Sequence, residues 1–374
     1  MMRLLKIVVS VSIILQFFSC VGVKEQFPPV DGEVVPMQYS SLLSIVECDG
    51  YTVVDVADPW ADRIMQRYVL VPSAAELPGN LPAGILLRTP LDNVILFSGV
   101  HGGLLAELGA GPAVKGVCDV RYFYCDALAT RLADGDIVNC GSSLNVDAEA
   151  VAQLSPDAGF VLPYENGGFG KLDNLGFPLV MCADYMESSP LGCAEWMRFY
   201  GRLFGFGVKS DSLFSAVCSE YEALGCAAKD AGYRPKLMCE LKSSSAWYVP
   251  CGMSTMGRMY ADAGGDYLFS WCGGSGSVPL SYEVVLDKAA DADIWLLKYN
   301  SVFDKKYPDL LAEYDGYAHF KPFRNRNIYA CNTHRNNIFE ETAFHPEKLL
   351  RELVALFHPI LLPEYKTLYY EKMR

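Results

Sequence analysis

Nowhere along its 374 residues does this chain carry a block rich in lysine or arginine, and its formal net charge is −13. An acidic chain without a basic stripe lacks the electrostatic footprint of a nucleic-acid binder. It also lacks a run of roughly 18 uninterrupted apolar residues, the length that a membrane-spanning helix needs. No C-x-x-C pair occurs among the 13 cysteines, which argues against a cysteine-held metal cluster. Histidine is scarce: five residues, at 101, 319, 334, 345 and 358, none at the i, i+4 spacing that pairs ligands on a helix. A carrier of free zinc or manganese needs three or four converging His, Asp or Glu ligands, so bare metal ions fit poorly. No G-x-S-x-G elbow, Walker A loop or G-x-G-x-x-G turn is present; Gly273-Gly274-Ser275-Gly276-Ser277 stops one glycine short.

What is present begins with a leader. Arg3 and Lys6 precede an apolar run, Ile7 to Phe18, broken only by Ser10, Ser12 and Gln16. This is a positive region followed by an apolar region of signal-peptide length, giving residues 1–19 as a signal peptide. It ends Phe17-Phe18-Ser19-Cys20, which resembles a bacterial lipobox, with Phe17 where Leu is commoner. In such a motif the Cys thiol is lipidated and becomes the new N-terminus, so Cys20 is the expected anchor. An ordinary signal peptide with an incidental Cys is the other reading. Residues 20–40, with Pro28, Pro29, Asp31, Gly32 and Pro36, read as anchor and tether. Losing residues 1–19 removes two basic residues and no acid, so the net charge passes from −13 to −15. Twelve further cysteines in an exported chain make disulfides plausible, although many sit in apolar contexts such as Val180-Met181-Cys182-Ala183, where a free thiol packs as a small hydrophobe.

The remaining chain is long for one core. Short apolar runs alternate with helical stretches: Val94-Ile95-Leu96-Phe97, Phe160-Val161-Leu162 and Leu179-Val180-Met181 in the first half, Lys236 to Cys239 and Ile294 to Leu297 in the second. Runs of this kind predict parallel strands covered on both faces. Between them the texture is helical. Trp196, Phe199, Tyr200 and Leu203 recur at helical spacing after Pro190, and a second stretch from about Ser210 to Asp230 carries Leu213, Val217, Tyr221 and Leu224. The expected architecture is α/β, with two Rossmann-like lobes joined by a long helix: an N-terminal lobe over 41–188, a connecting region over 189–231, a C-terminal lobe over 232–362, and a tail over 363–374. One internal echo supports related lobes. Glu149 precedes Asp157-Ala158 by eight residues, and Glu283 precedes Asp291-Ala292 by eight, each across a helical stretch leading into an apolar strand.

At this point the sequence resembles a known family, the periplasmic binding proteins of iron-siderophore, haem and vitamin B12 ABC importers. The residues that carry the resemblance are Val117 after Gly116, the stretch from Glu149 to Asp157, Tyr185-Met186-Glu187-Ser188-Ser189-Pro190-Leu191-Gly192 leading into Glu195-Trp196, Trp247-Tyr248-Val249-Pro250, Asp262 to Tyr267, and Pro279 to Glu283. Their order covers roughly residues 65–362. The resemblance implies two lobes clamping a ligand with little closure, because the connecting helix is stiff, and a class III periplasmic binding protein fold. It implies a binding protein rather than an enzyme, with no cofactor of its own. It further implies that Glu149 and Glu283, one per lobe, dock onto arginines of a permease dimer of the BtuC/FhuB type. Without the resemblance each would read as a solvated residue near a helix N-terminus.

In an α/β lobe, ligands lie beyond the carboxyl ends of the strands. That rule selects His101, Tyr124 and Tyr164 in the first lobe and Trp247, Tyr248, Trp271, Asn300 and Asn332 in the second. Several aromatic rings facing one cleft suit a large conjugated or macrocyclic ligand, although ordinary core packing is the alternative for each. His101, at a strand-to-helix turn, reads either as a ligand contact or axial metal ligand, or as a structural hydrogen-bonding residue. Tyr124 and Tyr164 suit haem iron if haem is the cargo. An intact chelate (ferric siderophore, corrinoid or haem) fits better than a bare ion, and the sequence leaves the choice among the three open. A surface lipoprotein that hands haem or corrinoid to another receptor is the alternative, with a secreted hydrolase behind it.

Overall fold

The computed structural model describes residues 27–374. The expected signal peptide and the anchor Cys20 therefore lie outside the described residues. Five strands come first: β1 (Glu33–Val35), β2 (Leu43–Cys48), β3 (Tyr51–Ala57), β4 (Ile64–Pro72) and β5 (Ile85–Thr89). They form a sheet in that order, antiparallel except for β4 and β5. This corrects the reading of 41–188 as one α/β lobe. β-branched residues follow one another through β2, β3 and β4 with no helical stretch between, so these strands pair as hairpins rather than as crossover units. The Asp49-Gly50 turn between β2 and β3, with Gly50 at φ 80°, is the local signal for it.

The first lobe follows: β6 (Val94–Leu96), α1 (Val100–Leu108), β7 (Val114–Val117), α2 (Asp126–Ala133), β8 (Val138–Asn139), a small hairpin of β9 (Gly141–Ser142) and β10 (Asn145–Val146), α3 (Ala148–Leu154), β11 (Ala158–Val161) and β12 (Leu179–Met181). Its parallel sheet has the order β12-β11-β6-β7-β8. Every residue of β6 and β11 is buried, as the continuous apolar runs require. The connection is helical throughout: α4 (Pro190–Glu195), α5 (Met197–Leu203) and the 23-residue α6 (Gly207–Lys229). Trp196, Phe199, Tyr200 and Leu203 are all buried, as their helical spacing predicts.

The second lobe comprises β13 (Lys236–Cys239), β14 (Lys242–Ser243), β15 (Ala246–Pro250), α7 (Thr255–Asp262), β16 (Asp266–Tyr267), β17 (Ser277–Leu280), α8 (Tyr282–Ala289), β18 (Ile294–Tyr299), α9 (Tyr307–Glu313), α10 (Lys321–Arg324), β19 (Ile328–Asn332), α11 (Ile338–Thr342), α12 (Pro346–Phe357) and β20 (Glu371–Lys372). Its main sheet has the order β16-β13-β18-β19-β20, parallel apart from β20, and β14-β15-β17 form a small antiparallel sheet beside it. The two lobes are therefore α/β units joined by a long helix, as expected.

Both presumed loose ends are built in. Buried Glu195 accepts the backbone N–H groups of Gln38, Tyr39 and Ser40 at 2.8–2.9 Å, and buried Glu187 accepts those of Ser41 and Leu42 at 3.0 Å. The described part of the 20–40 stretch is thus docked on the start of the connection rather than acting as a tether. The presumed tail is part of the second lobe: Tyr369, Tyr370 and Met373 are buried, and β20 pairs with β19. The cysteines are all free thiols among the described residues, so no disulfide framework is built there; Cys182, Cys239 and Cys331 pack as small core residues.

Glu352 holds the C-terminal segment. Fully buried on α12, its carboxylate accepts the N–H groups of Leu368 and Tyr369 at 2.7 and 2.8 Å, and that of Tyr370. Glu352→Ala leaves these buried donors without an acceptor and is expected to cost at least about 2 kcal/mol. The check is a lower urea midpoint; an unchanged midpoint would show that the segment is held by other contacts.

Candidate functional site

Each main sheet reverses its strand order at one place, between β6 and β11 in the first lobe and between β13 and β18 in the second. Ligands in open α/β sheets lie outside the strand carboxyl ends at such reversals. A cavity of about 350 Å³ lies between the lobes, at the first lobe's reversal and beyond the carboxyl ends of β18 and β19 in the second. The first lobe lines it with Ser98, Gly99, Asp119, Tyr122, Tyr124, Ser143 and Leu162, and the second with Asn300, Thr333, Asn336, Asn337, Phe339 and Glu340. Gly99 is required by a close approach: a Cβ there would sit 2.2 Å from the Tyr122 carbonyl oxygen. A second, more apolar cavity of about 490 Å³ adjoins it, sharing Phe97, Ser143 and Leu162 and adding Leu144, Tyr164, Phe169 and Lys171.

Hydrogen bonds cross the lobe boundary at this cavity. The Tyr124 N–H donates to Glu340 Oε2 at 2.7 Å, and the Tyr124 hydroxyl donates to the Thr333 carbonyl at 3.4 Å. Glu340 is buried and its Oε1 has no partner. Burial pushes its carboxyl up to about 7, against the pull of the Tyr124 and Cys125 backbone N–H groups. A second brace joins α1 to the start of α12, where His345 Nε2 lies 2.7 Å from Glu107 and its Nδ1 lies 2.9 Å from Glu347. Burial opposes a charge on His345, but hydrogen bonds to Glu107 and Glu347 outweigh it and raise its pKa to about 9. The imidazolium is therefore the form that holds these two helices together at neutral pH.

A model of the periplasmic binding protein family matches residues 97–333, which contain most of this cavity. The chain belongs to the periplasmic binding protein family. An uncharacterized lipoprotein of Methanocaldococcus jannaschii is 25% identical over 299 residues, covering 77% of this chain and 70% of that relative. Among solved structures, a periplasmic heme binding protein from Pseudomonas aeruginosa superposes with a TM-score of 0.59 at 15% identity, over 76% of this chain and 98% of that one. An ABC-type Fe3+-hydroxamate transport protein from Saccharomonospora viridis gives 0.56 at 16% identity, over 74% and 96%. The periplasmic vitamin B12 binding protein of Vibrio cholerae gives 0.51 at 13% identity, over 71% and 96%. These likenesses establish the two-lobed, class III fold of the binding protein.

The binding protein gathers some of the residues picked from sequence and disperses others. Tyr124 and Asn300 line the cavity between the lobes, and Tyr164 lines the apolar one beside it. Trp247 is a correction. It is 0% exposed, its indole N–H donates to the Cys239 carbonyl at 3.0 Å, and its ring packs on Trp295, Tyr317 and Phe320. Strand alternation turns its neighbour Tyr248 outward instead, 53% exposed, and Tyr248, like Trp271, lines neither cavity.

His101 is a second correction. It is 1% exposed, lies 3.2 Å from Asp184 Oδ1, and packs against Phe160, Tyr200 and Phe344, so it is no axial ligand for a cavity occupant. His101, Cys182 and Asp184 bring donor atoms within 4.8 Å of one another, the one such trio among the described residues. The Tyr200 hydroxyl also donates to Asp184 Oδ1, at 2.6 Å, and the trio sits in the core as a hydrogen-bonded cluster. Asn332 is a third correction: it is buried, and its amide bonds Ser301 and Asp304, fixing the loop after β18. Sequence reasoning passed over Glu340, Asn336 and Asn337. The polar run Thr333 to Asn337 directly after β19 was the available signal.

Glu340 generates a stability prediction. Its folded pKa lies above the ordinary value of 4.5, so the folded state holds the proton more tightly and this group's contribution to stability falls as pH rises from about 4.5 to about 7. Glu340→Gln is expected to remove that component and to gain on wild type above pH 7. Chemical denaturation of both proteins at pH 5 and pH 8 tests this, and an equal pH dependence in the two would contradict it.

Proposed function

We propose that this chain is the substrate-binding subunit of an ABC importer, capturing an intact metal chelate (ferric siderophore, haem or corrinoid) between its lobes and delivering it to a permease dimer of the BtuC/FhuB type. The observation that carries the reading is an inter-lobe cavity that lies at the first lobe's strand-order reversal, beyond β6 and β11, and faces the carboxyl ends of β18 and β19, in a chain of the periplasmic binding protein family. The structural neighbours named for Fe3+-hydroxamate, heme and vitamin B12 support a chelate as the cargo class.

Delivery to a permease is supported by the placement of Glu149 and Glu283. Both are exposed in the first turn of a helix, Glu149 on α3 capped by Asp147 and Glu283 on α8 capped by Ser281. Each helix leads into the strand that flanks its lobe's first strand across the reversal, β11 beside β6 and β18 beside β13. Two carboxylates at equivalent sites of two lobes suit a two-fold partner, where charge complementarity sets register and association rate. Anchoring through Cys20 belongs to the same reading, supported by the lipoprotein relative. A surface lipoprotein passing its cargo to another receptor would share the cleft and the anchor but have no use for the paired carboxylates.

Glu149→Ala combined with Glu283→Ala is expected to weaken binding to a reconstituted permease at least ten-fold while leaving chelate affinity unchanged; undiminished docking would remove these carboxylates from the interface. Cys20→Ser is expected to move the exported protein from the membrane fraction to the soluble fraction on ultracentrifugation. Retention in the membrane fraction would exclude Cys20 as the anchor.

A further inference from the structure

The charge around the inter-lobe cavity narrows its occupant. Two acids, Asp119 and Glu340, line it, and no lysine, arginine or histidine does so among the described residues. The other polar lining is neutral: Ser143, Asn300, Thr333, Asn336 and Asn337 supply hydroxyls and amides. Two arginines border it: Arg335 pairs with Asp304, and Arg121 stands at the rim over the Tyr122 ring, 4.6 Å from its centroid, where its charge helps keep Asp119 ionised. In the adjoining cavity Lys171 is the single basic lining residue among the described residues.

Asp119 is held as a carboxylate. Burial raises it, but hydrogen bonds from the Ser143 N–H and hydroxyl bring it below the usual range. Glu340 adds a second, independent observation. It is 7% exposed, one oxygen is satisfied by the Tyr124 N–H, and the other is buried with no donor. A desolvated carboxyl beside the cavity is stabilised in its charged form by a cationic or N–H-bearing group placed against it and destabilised by an anionic one. A polyanion seated in the same space would add like-charge repulsion in a partly desolvated site, which discriminates between ligands more sharply than lost contacts do.

We infer that the cleft selects a neutral or cationic chelate, a hydroxamate-type siderophore or an amide-bearing corrinoid, and rejects chelates that carry several negative charges, with Glu340 and Asp119 as the selecting residues. The inference rests on the chelate-binding reading above. Haem, with its propionates, and ferric tricatecholates fall in the rejected class. The apolar cavity beside the polar one gives such a chelate a hydrophobic wall along Leu162 and Phe169, while its donors face the amides and acids.

Calorimetric titration of the full chain with a cationic ferric trihydroxamate, cyanocobalamin, haemin and a ferric tricatecholate tests this. One of the first two is expected to bind at least ten-fold more tightly than either anion. Glu340→Lys is expected to shrink or reverse that ratio, and the isosteric Glu340→Gln to lie between. Equal or tighter binding of an anionic chelate by wild type would overturn the inference while leaving the chelate-binding reading intact. So would an unchanged ratio in a Glu340→Lys protein that melts cooperatively. Failure of all four to bind would sink the chelate-binding reading, and this inference with it. The wild-type order decides the matter without relying on any variant to fold.

Discussion

The cleft exists because a single helix sets the distance between two sheets. Helix α6 has 23 residues, and at the ordinary rise of an α-helix it spans about 35 Å. Its apolar stripe of Phe214, Val217, Tyr221 and Leu224 is buried, and it packs on α5 at one side and α12 at the other. A rod clamped along its length by both lobes resists bending, so the lobes meet at a fixed spacing and the cavity between them is largely preformed. Buried Glu187 and Glu195 add to this by fastening residues 38–42 to the start of the connection. Five backbone N–H groups that would otherwise need water are satisfied there.

Beside the apolar contacts that join the lobes, such as Phe344 on His101 and Tyr200, titratable groups brace them. Glu340 with Tyr124 lies at the cavity, and His345 with Glu107 lies at the α1–α12 contact. The two braces respond to pH in opposite senses. The His345 brace is complete below the ordinary histidine range and is lost as pH rises through about 9, because its folded pKa is raised. Glu340 is a raised acid and becomes harder to bury as pH rises toward about 7. The cavity between the lobes is therefore built against a titrating wall.

Periodicity is local, and elements that depend on it were legible. Val94 to Phe97, Phe160 to Leu162 and Ile294 to Leu297 read as buried parallel strands, and Trp196 through Leu203 read as a helix, because each pattern repeats within a few residues. The antiparallel sheet over 33–89 carries one sharp local mark, the Asp49-Gly50 turn. The C-terminal Tyr369 and Tyr370 read as a tail because the carboxylate that holds them, Glu352, lies 17 and 18 residues upstream in sequence. Trp247 was placed in the cleft because the turn before it is small and polar. One residue of strand alternation decides instead that Trp247 enters the core and Tyr248 leaves it.

By itself the sequence determined the α/β class, two lobes around a helical connection, the echo that sets Glu149 and Glu283 each eight residues before an Asp-Ala pair, and the absence of the familiar catalytic motifs. These follow from residue type, spacing and order, which the chain carries locally. Only the tertiary structure decided which polar residues share the cavity. Tyr124, Asn300 and Glu340 are brought together across more than two hundred positions by the packing of both lobes against one helix, and burial rather than residue type gave Glu340 its charge chemistry. His101 shows the converse. As a lone histidine at a strand-to-helix turn it had two readings, and the fold chose the structural one by seating it beside Asp184 and Tyr200, out of reach of any ligand.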